Sequence, residues 1–126
     1  MKFDIWKKSV DNIEKEMSLK YFKLSEFDSP DSKGSGKNMT RDFLKKLDRA
    51  RDIAKVPFKI SSGFRTPQHN VNLRKQGYKA SANSSHLKGC AADIVCKDSG
   101  TRQKIVNGLI MAGFTRIGIA DTFIHC

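Results

Sequence analysis

Two histidines and one aspartate have the residue types of a catalytic metal site. His86 and Asp93 lie seven positions apart, and Asp93 falls within an apolar run that predicts a buried strand. A buried carboxylate without a partner costs free energy, so Asp93 needs a cation, hydrogen-bond donors or a metal ion. His125 follows in a second strand-like run near the C-terminus. The three side chains, on different elements, are therefore candidates to converge on one ion.

The donor set suits catalysis better than a structural role. Structural zinc sites fill four positions with cysteine and histidine, whereas catalytic zinc keeps three protein ligands and leaves one position for water. Two histidines and a carboxylate also suit iron. The spacing His-x6-Asp is not a generic metal motif, and hydrogen-bonded polar side chains with no metal are the alternative interpretation. Residue types alone leave both interpretations open.

Three segments add a resemblance. The first segment, Ser61–Pro67, contains Ser-Gly-aromatic-Arg, and the second, Ser84–Ile94, contains Ser-x-His-x6-Asp. The third consists of Gly113–Ile119 and Phe123–His125 and ends in a late histidine. Together they resemble the D-Ala-D-Ala carboxypeptidase-like zinc peptidases, a group that includes vancomycin-resistance D,D-dipeptidases and phage endolysins. These enzymes share their fold with the hedgehog signalling domain. The similarity runs from about Tyr21 to the C-terminus.

The resemblance assigns roles to individual residues. It implies Zn²⁺ as the cofactor, with His86, Asp93 and His125 as its ligands. Arg65 matches the arginine that binds a substrate carboxylate or carbonyl, a role that suits a planar guanidinium. Ser84 matches a hydroxyl on the substrate side, with simple closure of a turn as the alternative. The third histidine, His69, matches no ligand, and we expect it at the surface or at a helix cap.

The general base is the least defined part of the site. After Ile60 the acids are Asp93, Asp98 and Asp121. Relatives usually carry the base three residues before the last histidine, whereas here the nearest acid is Asp121, at minus four. Four extended residues span about 13 Å, so Asp121 requires a turn at positions 120–121 to reach the metal. Many relatives continue past this histidine, often with an aspartate two positions on. The alternatives to Asp121 are therefore Asp98, a group from the N-terminal half, and a base lost by C-terminal truncation.

Length and composition predict one compact domain without a membrane span. The chain has 126 residues, of which 38% are hydrophobic and 29% charged, and no apolar run approaches bilayer length. Apolar residues spaced by three and four predict an N-terminal amphipathic helix over residues 1–20. The resemblance implies that a zinc D,D-peptidase-like domain follows over residues 21–126.

Charges at Lys7, Lys8 and Asp11 interrupt any signal-peptide core. We expect synthesis in the cytoplasm and action at the cell wall, as in a phage-type or prophage-encoded enzyme.

The pattern of the 21–126 region predicts an α+β fold with a small antiparallel sheet flanked by helices. Helices are expected from Thr40 to Ala54, from Pro67 to near Gly77, and over Thr101–Ala112 with Ser99 as the cap. Strands are expected at 58–61, 91–96, 116–119 and 122–126, the last two as a hairpin or one bent strand. Residues 24–36 and 78–85 read as loops.

The three cysteines do not form a disulfide framework. Their number is odd, which favours a reducing compartment of synthesis and small, partly buried apolar roles. Cys90 and Cys96 lie six positions apart in the predicted strand region, too far for a disulfide if the backbone is extended.

A net charge of +11 raises the question of nucleic acid. No nucleic-acid motif accompanies the charge, and a polyanionic cell wall attracts the same surface, so nucleic acid is not expected as a partner.

The motifs and the resemblance together predict a zinc metallopeptidase that hydrolyses a bond involving D-amino acids in peptidoglycan peptides. Two alternatives are a catalytically silent zinc domain of the same fold that binds a wall peptide or protein partner and, ranked low, a basic nucleic-acid-binding module.

Overall fold

The computed structural model describes residues 19–78 and 80–126. Nearly all of the predicted N-terminal helix lies outside this part of the chain, so that helix stays a prediction. The described part contains α1 (Arg41–Ala54), β1 (Ile60–Ser62), α2 (Pro67–Lys75), β2 (Asp93–Val95), α3 (Ser99–Ala112), β3 (Gly118–Ile119) and β4 (Phe123–His125). Short 3-10 helices occur at Leu24–Phe27, Ser35–Asn38 and Ser85–Lys88. This arrangement confirms the predicted α+β class.

Helices α1 and α3 pack against each other and support the sheet. The buried face of α1 consists of apolar residues at helical spacing, namely Phe43, Leu44, Leu47, Ala50 and Ala54. From α3, Ile105 and Leu109 are fully buried, and Gly108 lies so close to α1 that an added Cβ would sit 2.5 Å from the carbonyl oxygen of Ala50. The small residue therefore permits the close approach of the two helices.

The four strands form one antiparallel sheet in the order β1-β2-β4-β3. Four residues face one another across it as successive partners, Ser62 with Asp93, Asp93 with His125, and His125 with Gly118. Ile94 and Ile124 are partners one position along and are fully buried. Because side chains alternate along a strand, Asp93 and His125 project from the face opposite to these isoleucines.

Several predicted boundaries differ from the observed ones. Strand β2 is shorter than 91–96, and β3 begins at Gly118 rather than 116. The N-cap of α3 is Asp98, not Ser99, because its carboxylate Oδ2 accepts the backbone N–H of Thr101 at 2.9 Å. Thr40 stands at the N-cap of α1 as predicted, but its side chain makes no capping hydrogen bond. None of the helices in the described part of the chain is long and apolar enough to cross a membrane.

The loop that carries His86 is fixed against the start of α1. Gly89 follows the 3-10 helix Ser85–Lys88 with a φ of 70°, in the left-handed region that favours glycine. Its carbonyl accepts the N–H of Thr40 at 2.8 Å. A Cβ at this position would lie 2.2 Å from the carbonyl oxygen of Asn38. Glycine therefore allows the His86 loop to lie directly on residues 38–40.

Candidate metal centre

Asp93 and His125 are held together by the register of the sheet. They are direct cross-strand partners on β2 and β4, and His125 Nδ1 lies 2.8 Å from Asp93 Oδ1. The Asp93 side chain is 14% exposed and that of His125 is 41% exposed. The carboxylate therefore lies below the surface while one edge of the imidazole ring reaches solvent.

His86 reaches the same carboxylate from the 3-10 helix. Its side chain is almost fully buried, and its Nδ1 lies 2.8 Å from the carbonyl oxygen of Gly63. A carbonyl only accepts, so Nδ1 carries the hydrogen and the neutral ring leaves Nε2 with a free lone pair. Nε2 lies 3.4 Å from Asp93 Oδ1. Gly63 thus fixes the ring orientation and the tautomer that a metal ligand needs.

The three side chains fit a metal ion. His86, Asp93 and His125 each offer one ligand atom, and these atoms all lie within 4.8 Å of one another. Bonds of 2.0–2.2 Å in tetrahedral geometry separate ligand atoms by about 3.3–3.6 Å. The separation of 3.4 Å from His86 Nε2 to Asp93 Oδ1 matches that range, and the 2.8 Å contact from His125 requires a small opening. The predicted ligands are therefore brought together in one cluster.

The electrostatics of Asp93 also suit a cation. Burial acts to raise its pKa, but the hydrogen bond from His125, a hydrogen bond from His86 when its Nε2 is also protonated, and the positive charge of the protonated rings outweigh burial and lower the pKa to about 2. Asp93 is therefore ionised at neutral pH and supplies a negative charge to the cluster.

Arg65 lies in the wall beside Asp93 and is only 9% exposed. Its NH1 donates to Asn70 Oδ1 at 3.2 Å and its NH2 to Ser62 Oγ at 3.3 Å, while its buried Nε has no partner among the described residues. Burial lowers the pKa of Arg65, and the charge of Asp93 acts in the opposite direction. The guanidinium stays protonated and is held by two of its five donors, while the buried Nε has no partner among the described residues.

A cavity of about 740 Å³ lies over the cluster. The three candidate ligands line it together with Arg65, Ser84, His69 and Arg116. Ser84 Oγ also accepts the N–H of His86 at 3.2 Å, so it closes the 3-10 turn as well as facing the cavity. His69 lies in the first turn of α2, where its N–H donates to Thr66 Oγ1. Asp93 is the single carboxylate that lines this cavity in the part of the chain described.

Asp121, the predicted general base, lies at the tip of the β3–β4 hairpin. Ala120 bonds to Phe123 across this tip, and His125 pairs with Gly118 at its other end. The Asp121 side chain is exposed, and its backbone carbonyl accepts from Arg102 NH2 at 2.9 Å. Asp121 is not among the residues that line the cavity, and its catalytic role stays a prediction.

Sequence reasoning missed two residues that orient the site. The carbonyl of Gly63 holds His86, and the amide of Asn70 holds Arg65 while donating to the Ser81 carbonyl at 2.9 Å. The sequence signal that could have identified Asn70 is its position, five residues after Arg65 in the predicted helix that begins at Pro67. The structure shows that this polar residue is buried. A backbone carbonyl gives no signal in the sequence.

The structure is that of a small α+β protein in which two histidines and one carboxylate form a cluster that could hold a metal ion. The chain belongs to the Peptidase M15 family, whose sequence pattern matches residues 15–126. No curated protein and no solved structure matches the chain significantly. The family confirms the resemblance seen in the sequence and makes a peptide the expected class of substrate.

Proposed function

We propose that this chain is a zinc-dependent peptidase that hydrolyses a peptide bond involving D-amino acids in peptidoglycan. The observation that carries the proposal is the convergence of His86, Asp93 and His125 in one cluster that lines a cavity, in a chain of a peptidase family. The donor set of two imidazoles and one carboxylate suits zinc in its catalytic, three-ligand form.

His86, Asp93 and His125 would hold the zinc ion, which would supply a Lewis acid for the scissile carbonyl and a bound water with a pKa of about 7. The chain contributes the geometry. Gly63 fixes the His86 ring, and the cross-strand pairing fixes Asp93 against His125. Preorganised ligands need no rearrangement when substrate binds, which favours the transition state.

Arg65 is the proposed substrate anchor. Its guanidinium lines the cavity, and its contacts with Asn70 and Ser62 hold it in one orientation. A fixed guanidinium binds a carboxylate or carbonyl oxygen with little loss of side-chain entropy. Ser84 lines the same cavity and offers a hydroxyl to the peptide backbone.

One observation favours a second candidate function. Besides Asp93, no carboxylate of the described residues lines the cavity, so the proton carrier expected of a hydrolase is not apparent there. A zinc domain that binds a wall peptide or a protein partner without cutting it would need no such group. Either activity would place the protein at the cell wall, where its net charge of +11 favours association with a polyanion.

The test combines metal content with cleavage. We expect one zinc per wild-type chain, its loss in His86→Ala, and release of new amines from purified peptidoglycan by the wild type but not by His86→Ala. His69→Ala is the matched control, because His69 lines the cavity but is not in the ligand cluster. Zinc without amine release would favour the binding domain, and no zinc in the wild type would refute the proposed centre.

A further inference from the structure

A second cavity adjoins the first at the metal-binding cluster. It has a volume of about 710 Å³, and three residues, Ser85, Arg116 and His125, line both cavities. Both volumes lie in the range of sites that bind small ligands. Of the three cluster residues, His125 lines both cavities, so one edge of the cluster lies where the two cavities meet.

The sheet explains how the two cavities are arranged. Ser62 and Asp93, on the β1 and β2 side of His125, line the first cavity, whereas Gly118, its partner on β3, lines the second. Strands are about 4.8 Å apart, so the row from Ser62 to Gly118 spans about 14 Å. An extended peptide advances about 3.3 Å per residue, so this row alone accommodates about four residues.

The second cavity has the mixed lining of a peptide site. Phe114 lies edge-on to Phe43 with ring centroids 5.7 Å apart, and Lys46 Nζ lies 5.3 Å from the Phe114 ring centre. Ile117, the exposed Cys90 and the Asp42 carboxylate also line this cavity. Apolar surface for side chains thus stands beside a cation that can pair with a peptide carboxylate or carbonyl.

Arg116 stands where the cavities meet. It is exposed and makes no hydrogen bond or ion pair with another described residue, in contrast to Arg65 on the opposite side of the cluster. A guanidinium carries five donors, so Arg116 has its donors available for a peptide that crosses the junction.

We infer that the second cavity is a substrate subsite, which binds the part of a peptide that continues past the scissile bond on the side away from Arg65. The inference rests on the proposed function for the position of the scissile bond. It makes the substrate an extended peptide with residues bound on both sides of the cluster.

Cys90 provides a readout that does not depend on cleavage. It is exposed in the second cavity, whereas Cys96 and Cys126 are buried, so an alkylating reagent modifies Cys90 selectively. In the zinc-loaded chain, a saturating soluble stem peptide of peptidoglycan is expected to slow alkylation of Cys90 by iodoacetamide at least five-fold. The dipeptide D-Ala-D-Ala, which is too short to fill both cavities, is expected to leave the rate within two-fold.

Two variants identify the surface that responds. Lys46→Gln is expected to weaken binding of the stem peptide three- to ten-fold by calorimetry, and Lys45→Gln, its exposed neighbour outside the cavity, to leave binding unchanged. Cys90→Ser confirms the alkylation site by mass spectrometry. A stem peptide that binds but leaves alkylation of Cys90 unaffected overturns the inference while the proposed function stands, and a stem peptide that does not bind overturns both.

Discussion

Replacing Gly63 by alanine tests how the metal centre is held. An added Cβ would lie 2.7 Å from the Cα of Phe27 and 2.8 Å from its Cβ. Ordinary contacts begin near 3.4 Å, so the end of β1 must move away from the 3-10 helix Leu24–Phe27 by about 0.7 Å. The backbone bond from Phe64 N–H to the Phe27 carbonyl, now 2.8 Å, opposes that movement. Overpacking of this kind costs about 1–3 kcal/mol of unfolding free energy.

The same movement reaches the cluster. Gly63 carries the carbonyl that accepts from His86 Nδ1 at 2.8 Å, and a shift of about 0.7 Å brings that contact to the limit of a hydrogen bond. Loss of a partner that orients a metal ligand typically weakens metal affinity by about 10–100-fold. We therefore expect Gly63→Ala to lower stability and zinc affinity together.

The assays are urea unfolding of the metal-free protein and competition for zinc with a chromogenic chelator. Gly100→Ala is the matched control, because its added Cβ would meet only Asp98 Oδ2, at an ordinary 3.7 Å, in the first turn of α3. The control is expected to be neutral or slightly more stable, since alanine is the better helix former. A Gly63→Ala protein that is destabilised but binds zinc like the control would refute the proposed link between Gly63 and His86.

Further predictions concern packing, pH and catalysis. Gly108→Ala forces the α1–α3 contact apart, so a net loss of about 1–2 kcal/mol is expected in urea unfolding after the gain in helix propensity. In the metal-free protein the pKa of Asp93 is lowered from its ordinary 3.8 to about 2, so the ionised carboxylate stabilises the fold above about pH 4. This stabilisation is lost as the pH falls from about 4 toward 2. The stability of Asp93→Asn, measured by acid unfolding, should not show this loss. Asp121→Asn tests the predicted general base. Because general acid–base catalysis contributes about 10²–10⁴-fold, kcat is expected to fall by about that factor. A decrease in kcat of less than about ten-fold would show that Asp121 is not the base.

The sequence predicted what depends on local pattern. The helix predicted from Thr40 to Ala54 is α1, the helix predicted from Pro67 is α2, and the predicted end of α3 at Ala112 is observed. The donor types of His86, Asp93 and His125 were sufficient to nominate a cluster that the fold brings together. These features follow from side-chain chemistry and from spacing within one element.

Features that depend on distant pairing were not predictable in the same way. The order β1-β2-β4-β3, which places His125 between Asp93 and Gly118, is set by tertiary packing. The N-cap at Asp98 was missed because Ser99 is an equally good capping type, and only the backbone geometry distinguishes them. The role of Arg116 at the junction of the cavities follows from that strand order and has no signature in the local sequence.

The cross-strand pair of Asp93 and His125 also has a consequence for folding. The residues are 32 positions apart, and the chain between them contains α3 and the β3–β4 hairpin. The two side chains meet only when β2 and β4 pair across this segment, and such non-local pairing forms more slowly than local structure. A chain in which β2 and β4 are not yet paired therefore lacks the centre, and the rate at which the protein gains high-affinity zinc binding during refolding reports on that pairing.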